Sequence, residues 1–144
     1  VSISDRKVAG ILVDFSGGEG GGAVAGIGIN VNEDLFGNGE LNAISVRDAV
    51  GRIVSRERIL AVTVMELEQL MNQNLDQVLG KYKKLDILSG KSVKVHHISR
   101  EVADDRDYEA IVVGVNKAGM LEVTKNGGKI ITLSSEEVSV TPQT

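Results

Sequence analysis

The sequence predicts an α+β fold in which a glycine-rich pair of strands and a helical stretch precede a group of short strands. Two apolar runs near the start are bounded by glycines, which is typical of strands. Apolar residues then recur at three- and four-residue spacing between residues 59 and 79, as on the face of a helix. From residue 92 onward, short apolar runs alternate with turn-forming residues. Five short antiparallel strands at the end of the chain indicate a small barrel.

The first two apolar runs, residues 8–14 and 23–31, are predicted to form an antiparallel hairpin. The connection at 15–22 is short and dominated by glycine, which suits a hairpin. Because both runs are continuously apolar, we expect these strands to be buried on both faces. Gly26 and Gly28 lie inside the second strand, where glycine is unfavourable. Close approach of another strand and close approach of a flat ligand explain these two glycines equally well.

The middle of the chain is predicted to be helical. Residues 47–54 form a short helix, and a longer one begins after Ser55, a favourable N-cap that is followed by Glu57 in the first turn. One face of this longer helix is apolar and comprises Ile59, Leu60, Val64, Leu67, Leu70 and Met71. A second helical stretch carries Leu75, Val78, Leu79 and Tyr82, and Gly90 ends the region.

The five predicted C-terminal strands are 92–98, 108–116, 120–125, 129–133 and 138–140. Because the texture of the sequence changes before the first of them, we predict two domains, residues 1–88 and residues 89–144.

Composition restricts the classes of partner. The 144 residues carry a net charge of -4 and only 3% aromatic residues, which disfavours a nucleic-acid-binding surface. The longest apolar runs are far shorter than the roughly 18 residues that span a bilayer. The chain has no cysteine, which excludes disulfides, thiolate metal sites and a cysteine nucleophile. We therefore expect a cytoplasmic protein without nucleic-acid or membrane partners.

Several short motifs have simpler interpretations than a reactive site. The glycine run at 17–22 lacks the Lys-Ser/Thr pair of a phosphate loop. The Gly-Ile-Gly of residues 26–28 lacks the third glycine and the helix of a dinucleotide fingerprint. His96 and His97 are adjacent on a predicted strand, so they point to opposite faces and do not favour a shared metal. The acidic residues Asp104, Asp105 and Asp107 are interpreted as a solvated turn, and no protein-bound metal is expected.

Two motifs together resemble the catalytic domain of biotin protein ligases. The first is Lys-x-x-Gly-Ile-Leu beginning at Lys7, and the second is Gly-x-Gly-x-Asn ending at Asn30, at the spacing seen in that family. Residues 82–86 resemble the family's link to its C-terminal domain, and residues 113–121 and 135–140 resemble that small domain itself. The resemblance implies the second half of a class II synthetase-like, biotin/lipoate ligase-like catalytic domain, followed by an SH3-like barrel.

The resemblance also implies an activity. These ligases activate biotin with ATP to biotinyl-5'-adenylate and then acylate one lysine of a biotin carboxyl carrier domain. Biotin and ATP are therefore the expected substrates, with Mg²⁺ accompanying ATP. The tryptophan-proline-asparagine-aspartate signature and the arginine- and glycine-rich loop of the family precede the lysine motif and are not in this sequence. We expect a partial or split ligase, whose partners are the carrier domain, the N-terminal half of the ligase and a second copy of the chain.

Site residues follow from the matched motifs. Lys7 corresponds to the lysine beside the biotin carboxylate and the adenylate phosphate, and it is the candidate catalytic residue. Asn30 corresponds to a contact with the nucleotide, which Lys7 also approaches. The implied biotin-binding residues are Lys7, Gly10, Ile11, Leu12, Gly26, Ile27 and Gly28.

Two other hypotheses remain beside this one. The chain could be a non-catalytic interaction module that docks the carrier domain or a second ligase chain. It could also be an enzyme similar to lipoate–protein ligases, which share the fold of the biotin enzymes.

Overall fold

A computed structural model describes residues 1–17, 21–34, 42–97, 107–125, 127–134 and 138–142. The chain divides into two compact units, Val1–Glu68 and Gln69–Thr144. Strands and helices follow one another in the predicted order, which confirms the mixed α and β content. The assignment of residues 1–88 and 89–144 to two functional domains stays a prediction.

The first unit begins with two antiparallel strand pairs. Strands β1 (Ser2–Ile3) and β2 (Arg6–Lys7) are joined by a tight turn in which Ser4 and Asp5 both have positive φ. Strands β3 (Ala9–Ser16) and β4 (Gly22–Ile29) form the predicted hairpin, in unbroken register along their whole length. Both strands extend further into the glycine-rich connection than predicted, and residues 18–20 of that connection lie outside the described residues.

The core of the first unit lies at the base of the hairpin. Val8, Ala9 and Ile44 are buried there, and Ile29 and Val46 pack against them. The prediction that β3 and β4 are buried on both faces is wrong for this structure, because beyond this core their side chains are exposed. A continuous apolar run indicates that burial is favourable, but it does not indicate which element supplies the cover.

Two helices follow the hairpin. Helix α1 (Val46–Val50) begins at the buried Ser45, whose Oγ accepts a hydrogen bond from Asp48 N at 3.1 Å. It ends three residues earlier than predicted, since Gly51 adopts the left-handed conformation that terminates helices. Helix α2 (Arg56–Met71) begins after Ser55, and Arg58 N donates to Ser55 Oγ at 3.1 Å, which confirms the predicted N-cap.

Helix α2 has no buried residue, and the leucines and methionines of its predicted apolar face are largely exposed. The three- and four-residue spacing therefore predicted the helix correctly. The expectation that its apolar face is buried is not met within the described part of the chain.

The second unit combines one helix with one sheet. Helix α3 (Leu75–Leu85) begins with a reciprocal capping box between Asn74 and Gln77. The five predicted strands are confirmed as β5 (Ser92–His97), β6 (Tyr108–Val115), β7 (Leu121–Thr124), β8 (Ile130–Leu133) and β9 (Val138–Pro142). They form an antiparallel sheet of order β8-β7-β6-β5-β9. In the residues that the structure describes, no pairing joins β8 to β9, so the predicted closure into a barrel is not observed.

The sheet of the second unit carries its own core. Val93, Val95, Val112 and Val123 are fully or almost fully buried and pack with Ala110 and Leu133. β-Branched residues pack well on a pleated surface, which explains why valine dominates here.

Candidate functional site

The register of the hairpin brings the two predicted motifs together. Gly10 pairs with Gly28, and Leu12 pairs with Gly26. Paired residues of an antiparallel ladder share one face of the sheet. We call the face carrying these four residues the glycine face, because three of its four positions have no side chain. The sequence motifs at Lys7 and Asn30 are thus parts of one surface.

Lys7 extends over this glycine face. Its Nζ lies 3.9 Å, and its Cε 3.8 Å, from the point that a Cβ atom on Gly10 would occupy. The main chain of Lys7 is fixed on both sides, since its N donates to Asn42 O and its O accepts from Ile44 N, each at 2.9 Å. The structure therefore places a positive charge at one end of a surface that has little else on it.

The glycines of this face are not explained by the described fold. A Cβ atom on Gly28 would meet nothing within 4 Å, and one on Gly26 would meet only Leu12 O at 3.8 Å, an ordinary contact. Neither residue has a positive φ. Alanine would therefore fit at both positions without strain. The absence of side chains leaves the main chain open to a flat molecule, which is the second of the two explanations that the sequence left open.

The side chains of Ile11 and Ile27 lie on the opposite face of the hairpin. These two residues pair with each other and alternate with the glycine-face pairs. Their side chains are 59% and 37% exposed, respectively. Only their main-chain atoms could therefore contact a molecule on the glycine face, and Leu12 supplies the one large side chain there. Their assignment to the biotin site stays a prediction.

Asn30 follows directly after β4, at the base of the hairpin. Its N donates to Val8 O at 2.9 Å, and its O accepts from Val46 N at 2.8 Å. Both bonds involve the main chain, so the position of Asn30 is fixed between the hairpin and the start of α1. The proposed contact of its amide with a nucleotide stays a prediction.

Two further asparagines organise this region, and the motif analysis did not identify either. Asn42 Nδ2 donates to Asp5 O at 3.2 Å, while Asn42 O accepts from Lys7 N, so this residue holds the strand that carries Lys7. Asn32 binds both main-chain groups of Val54, with Nδ2 to Val54 O at 2.8 Å and Oδ1 to Val54 N at 3.1 Å. Both act through main-chain partners that are distant in sequence, and no local pattern reveals such contacts.

A separate charged cleft lies at the end of α1, lined by Arg47, Asp48, Gly51, Arg52 and Ile53. Arg47 Nε contacts Asp48 Oδ1 at 2.9 Å, so its charge is already compensated. Hydrogen bonds from Ser45 and Arg47 keep the pKa of Asp48 below its ordinary value despite an opposing desolvation effect. The cleft is therefore a stabilised ion pair in its own right.

In the second unit, Asp107 joins two strands through side-chain contacts. Its Oδ2 lies 3.1 Å from Lys94 Nζ and 2.8 Å from His96 Nδ1. The hydrogen bond from Lys94, followed by that from His96, holds the pKa of Asp107 below its ordinary value. His96 thus takes part in a surface ion cluster, as expected for a residue without a metal role. Asp104 and Asp105 lie outside the described residues, as does the side chain of His97.

Two properties hold across the described ranges. They contain no group of three or more His, Asp or Glu side chains placed to hold a metal ion. None of their helices combines the length and the apolar character needed to cross a bilayer.

Sequence comparison identifies relatives with a shared name, although no protein family model matches the chain. The bifunctional ligase/repressor BirA of Salmonella typhimurium is 28% identical over 130 residues, covering 85% of this chain and 39% of that protein. BirA of Escherichia coli is 30% identical over 136 residues, covering 87% of this chain and 39% of that protein. The chain thus spans about two-fifths of the length of these curated relatives.

Solved structures show the same fold. The apo biotin protein ligase from Aquifex aeolicus superposes with a TM-score of 0.76 at 20% identity, covering 98% of this chain and 61% of that one. A mutant of that enzyme in complex with biotin gives a TM-score of 0.74, and its complex with biotin and ATP gives 0.72. The resemblance to biotin protein ligases is therefore confirmed, and the mixed α/β fold is that of part of such a ligase.

Proposed function

We propose that this chain forms part of a biotin protein ligase, which joins biotin to AMP and transfers the biotinyl group to a lysine of a carrier domain. The single observation that carries this proposal is the position of the Lys7 ammonium over the paired glycines Gly10 and Gly28. The similarity to BirA, whose name records ligase activity, supports it. A structure of the Aquifex ligase with biotin and ATP supports the proposed substrates.

The proposed chemistry follows from charge. Biotin carboxylate and the α-phosphate of Mg²⁺–ATP are both anionic, and attack of the carboxylate on phosphorus concentrates negative charge between them. An ammonium group fixed at that position stabilises the transition state more than the separated substrates. Lys7 is the proposed source of that charge, and the attack releases pyrophosphate and leaves biotinyl-5'-AMP.

The glycine face is the proposed floor of the biotin site. Its exposed main chain allows a ring to lie against the peptide planes of Gly26 and Gly28, while Leu12 offers apolar contact at one side. The main chains of Gly10, Ile11 and Ile27 complete the floor, and Asn30 is the proposed nucleotide contact. No resident metal is required, since Mg²⁺ enters with ATP as part of the substrate.

Other parts of the proposal concern assembly and location. The proposed partners are a biotin carboxyl carrier domain, the remaining polypeptide of the ligase catalytic domain and a second copy of the chain, and the proposed location is the cytoplasm. The strands of the second unit are proposed to form the SH3-like barrel of the ligase C-terminal domain.

A chimera tests the proposal directly. This chain replaces the matched part of the Aquifex ligase, and biotin-dependent release of pyrophosphate from ATP is measured. We expect activity in the parent chimera and a loss of roughly 100-fold for Lys7→Gln, the size of effect seen when one preorganised charge-stabilising donor is removed. Lys81→Gln, at an exposed lysine of α3, is the matched control and should leave the rate unchanged. A folded chimera that is inactive, or one that is insensitive to Lys7→Gln, would contradict the proposal.

The two alternative functions predict different results. A non-catalytic module, which the exposed apolar side chains of α2 could serve, should bind a carrier domain without any calorimetric heat from biotin or ATP. A lipoate–protein ligase should release pyrophosphate with lipoate in preference to biotin when the chimera receives both.

A further inference from the structure

We propose that the outer edge of β3 binds one extended polypeptide strand running antiparallel to it, supplied by the part of a ligase catalytic domain that this chain does not match. The source of the strand rests on the proposed function. The edge, the direction and the register rest on the hydrogen bonds described below.

The hydrogen bonds of the hairpin show which main-chain groups of β3 face outward. Asn30 N donates to Val8 O at 2.9 Å, so residues an even number of positions from Val8 bond to β4. In an antiparallel ladder, the residues between them direct N–H and C=O away from that partner. Ile11, Val13 and Phe15 therefore present main-chain donors and acceptors on the outer edge. Within the described ranges, no main-chain group bonds to them there.

Val1 already occupies the first position of this edge. Val1 N donates to Ala9 O at 2.9 Å, and Ala9 N donates to Val1 O at 3.2 Å. This reciprocal pair is the repeating unit of an antiparallel ladder. Val8 N also donates to Val1 O at 2.9 Å, so two residues oppose one, as in a β-bulge.

The pair between Val1 and Ala9 fixes the direction and the register of the incoming strand. Continuing the ladder, the positions two, four and six residues ahead of Val1 lie opposite Ile11, Val13 and Phe15, respectively. The outer edge of β4 has no comparable anchoring pair among the described residues, so the observations single out β3.

The side chains along the edge define the chemistry of the strand. Cross-strand partners share a face, so the three paired positions lie on the face of Ile11, Val13 and Phe15. All three side chains are apolar and exposed, and Phe15 is 74% exposed. An exposed edge with an apolar face is a surface that pairs with another strand. We therefore expect apolar side chains at these three positions, and small or polar ones at the intervening positions, which lie on the side of the glycine face.

Amide hydrogen exchange tests the proposal on the full chain. Seven residues are joined ahead of Val1, with valine at the second, fourth and sixth positions before it and threonine or lysine between them. The new peptide N–H of Val1 replaces the ammonium as donor to Ala9 O, so the anchoring pair is kept. We expect exchange at Ile11, Val13 and Phe15 to slow by roughly tenfold or more, as for amides that enter a stable ladder. Ile27, on the outer edge of β4, should be unchanged.

Two variants make the result specific. Shifting the valines by one position puts them on the wrong face, and this extension should give little protection. Val13→Pro removes an outward N–H without removing a bond to β4, and it should abolish the protection at Ile11 and Phe15.

Three results would overturn the proposal: unchanged exchange with the first extension, equal protection with the shifted one, or protection of the unextended chain that rises with its concentration. The last would show that a second copy takes the edge. Neither biotin nor ATP is present, so this failure is distinguishable from failure of the Lys7 test.

Discussion

The side chain of Lys7 lies over Gly10, with Nζ 3.9 Å from the point that a Cβ atom on that glycine would occupy. A methyl group there would make ordinary van der Waals contact, whereas a branched side chain would displace the lysine. Gly10 and Lys7 therefore form one functional element, in which the absence of a side chain at one residue sets the position of the charge at the other.

Substitutions at Gly10 should affect catalysis more than folding. Gly10→Ala should change the free energy of unfolding by less than about 1 kcal/mol, because the alanine adopts this backbone without strain. Gly10→Val should reduce adenylate formation in the chimera nearly as much as Lys7→Gln. Since both changes remove the same charge from the same place, the double variant should be no slower than the worse single one. Additive losses in pyrophosphate release would show that the two residues act independently.

Gly28 is predicted to determine ligand access. Gly28→Val adds a side chain where the fold leaves open space, so unfolding should be unaffected while biotin affinity falls by more than about tenfold. Ala25→Val is the matched control, because Ala25 lies in the same strand on the opposite face. Calorimetric titration of the chimera with biotin measures both. Equal affinities for the two variants would exclude the glycine face as the biotin site.

Asp107 should make the second unit sensitive to acid. Its pKa is lowered in the folded state, so the stabilisation is present above the unfolded value of about 4 and is lost as the pH falls through the folded value. Asp107→Asn should therefore be less stable than the parent at pH 7 and approach it below pH 4. Urea unfolding across this range measures the difference. A constant difference at every pH would show that the carboxylate charge is not responsible.

The sheet core of the second unit should be sensitive to truncation. Val123 is fully buried, and Val123→Ala should lower the free energy of unfolding by about 2–3 kcal/mol through lost burial and a residual cavity. Val113→Ala removes the same atoms from a side chain that is 45% exposed, and it should cost much less. Chemical denaturation followed by circular dichroism provides the comparison. Similar losses for both variants would mean that the two positions pack equally well.

Local patterns in the sequence were sufficient for the elements themselves. Glycines and apolar runs predicted the β3–β4 hairpin, the hydroxyl of Ser55 predicted the start of α2, and turn residues separated the five strands of the sheet. These features depend on contacts within a few residues, which the sequence displays directly. The resemblance at Lys7 and Asn30 likewise followed from residue identity and spacing.

The tertiary structure alone decided what these elements face. The register that sets Gly10 against Gly28, the position of Lys7 above them and the support from Asn42 depend on residues far apart in the chain. The exposure of the outer hairpin and of α2 contradicted an expectation drawn from apolar residues. A sequence specifies which surfaces gain free energy when they leave water, but the arrangement of other elements in space determines whether anything covers them.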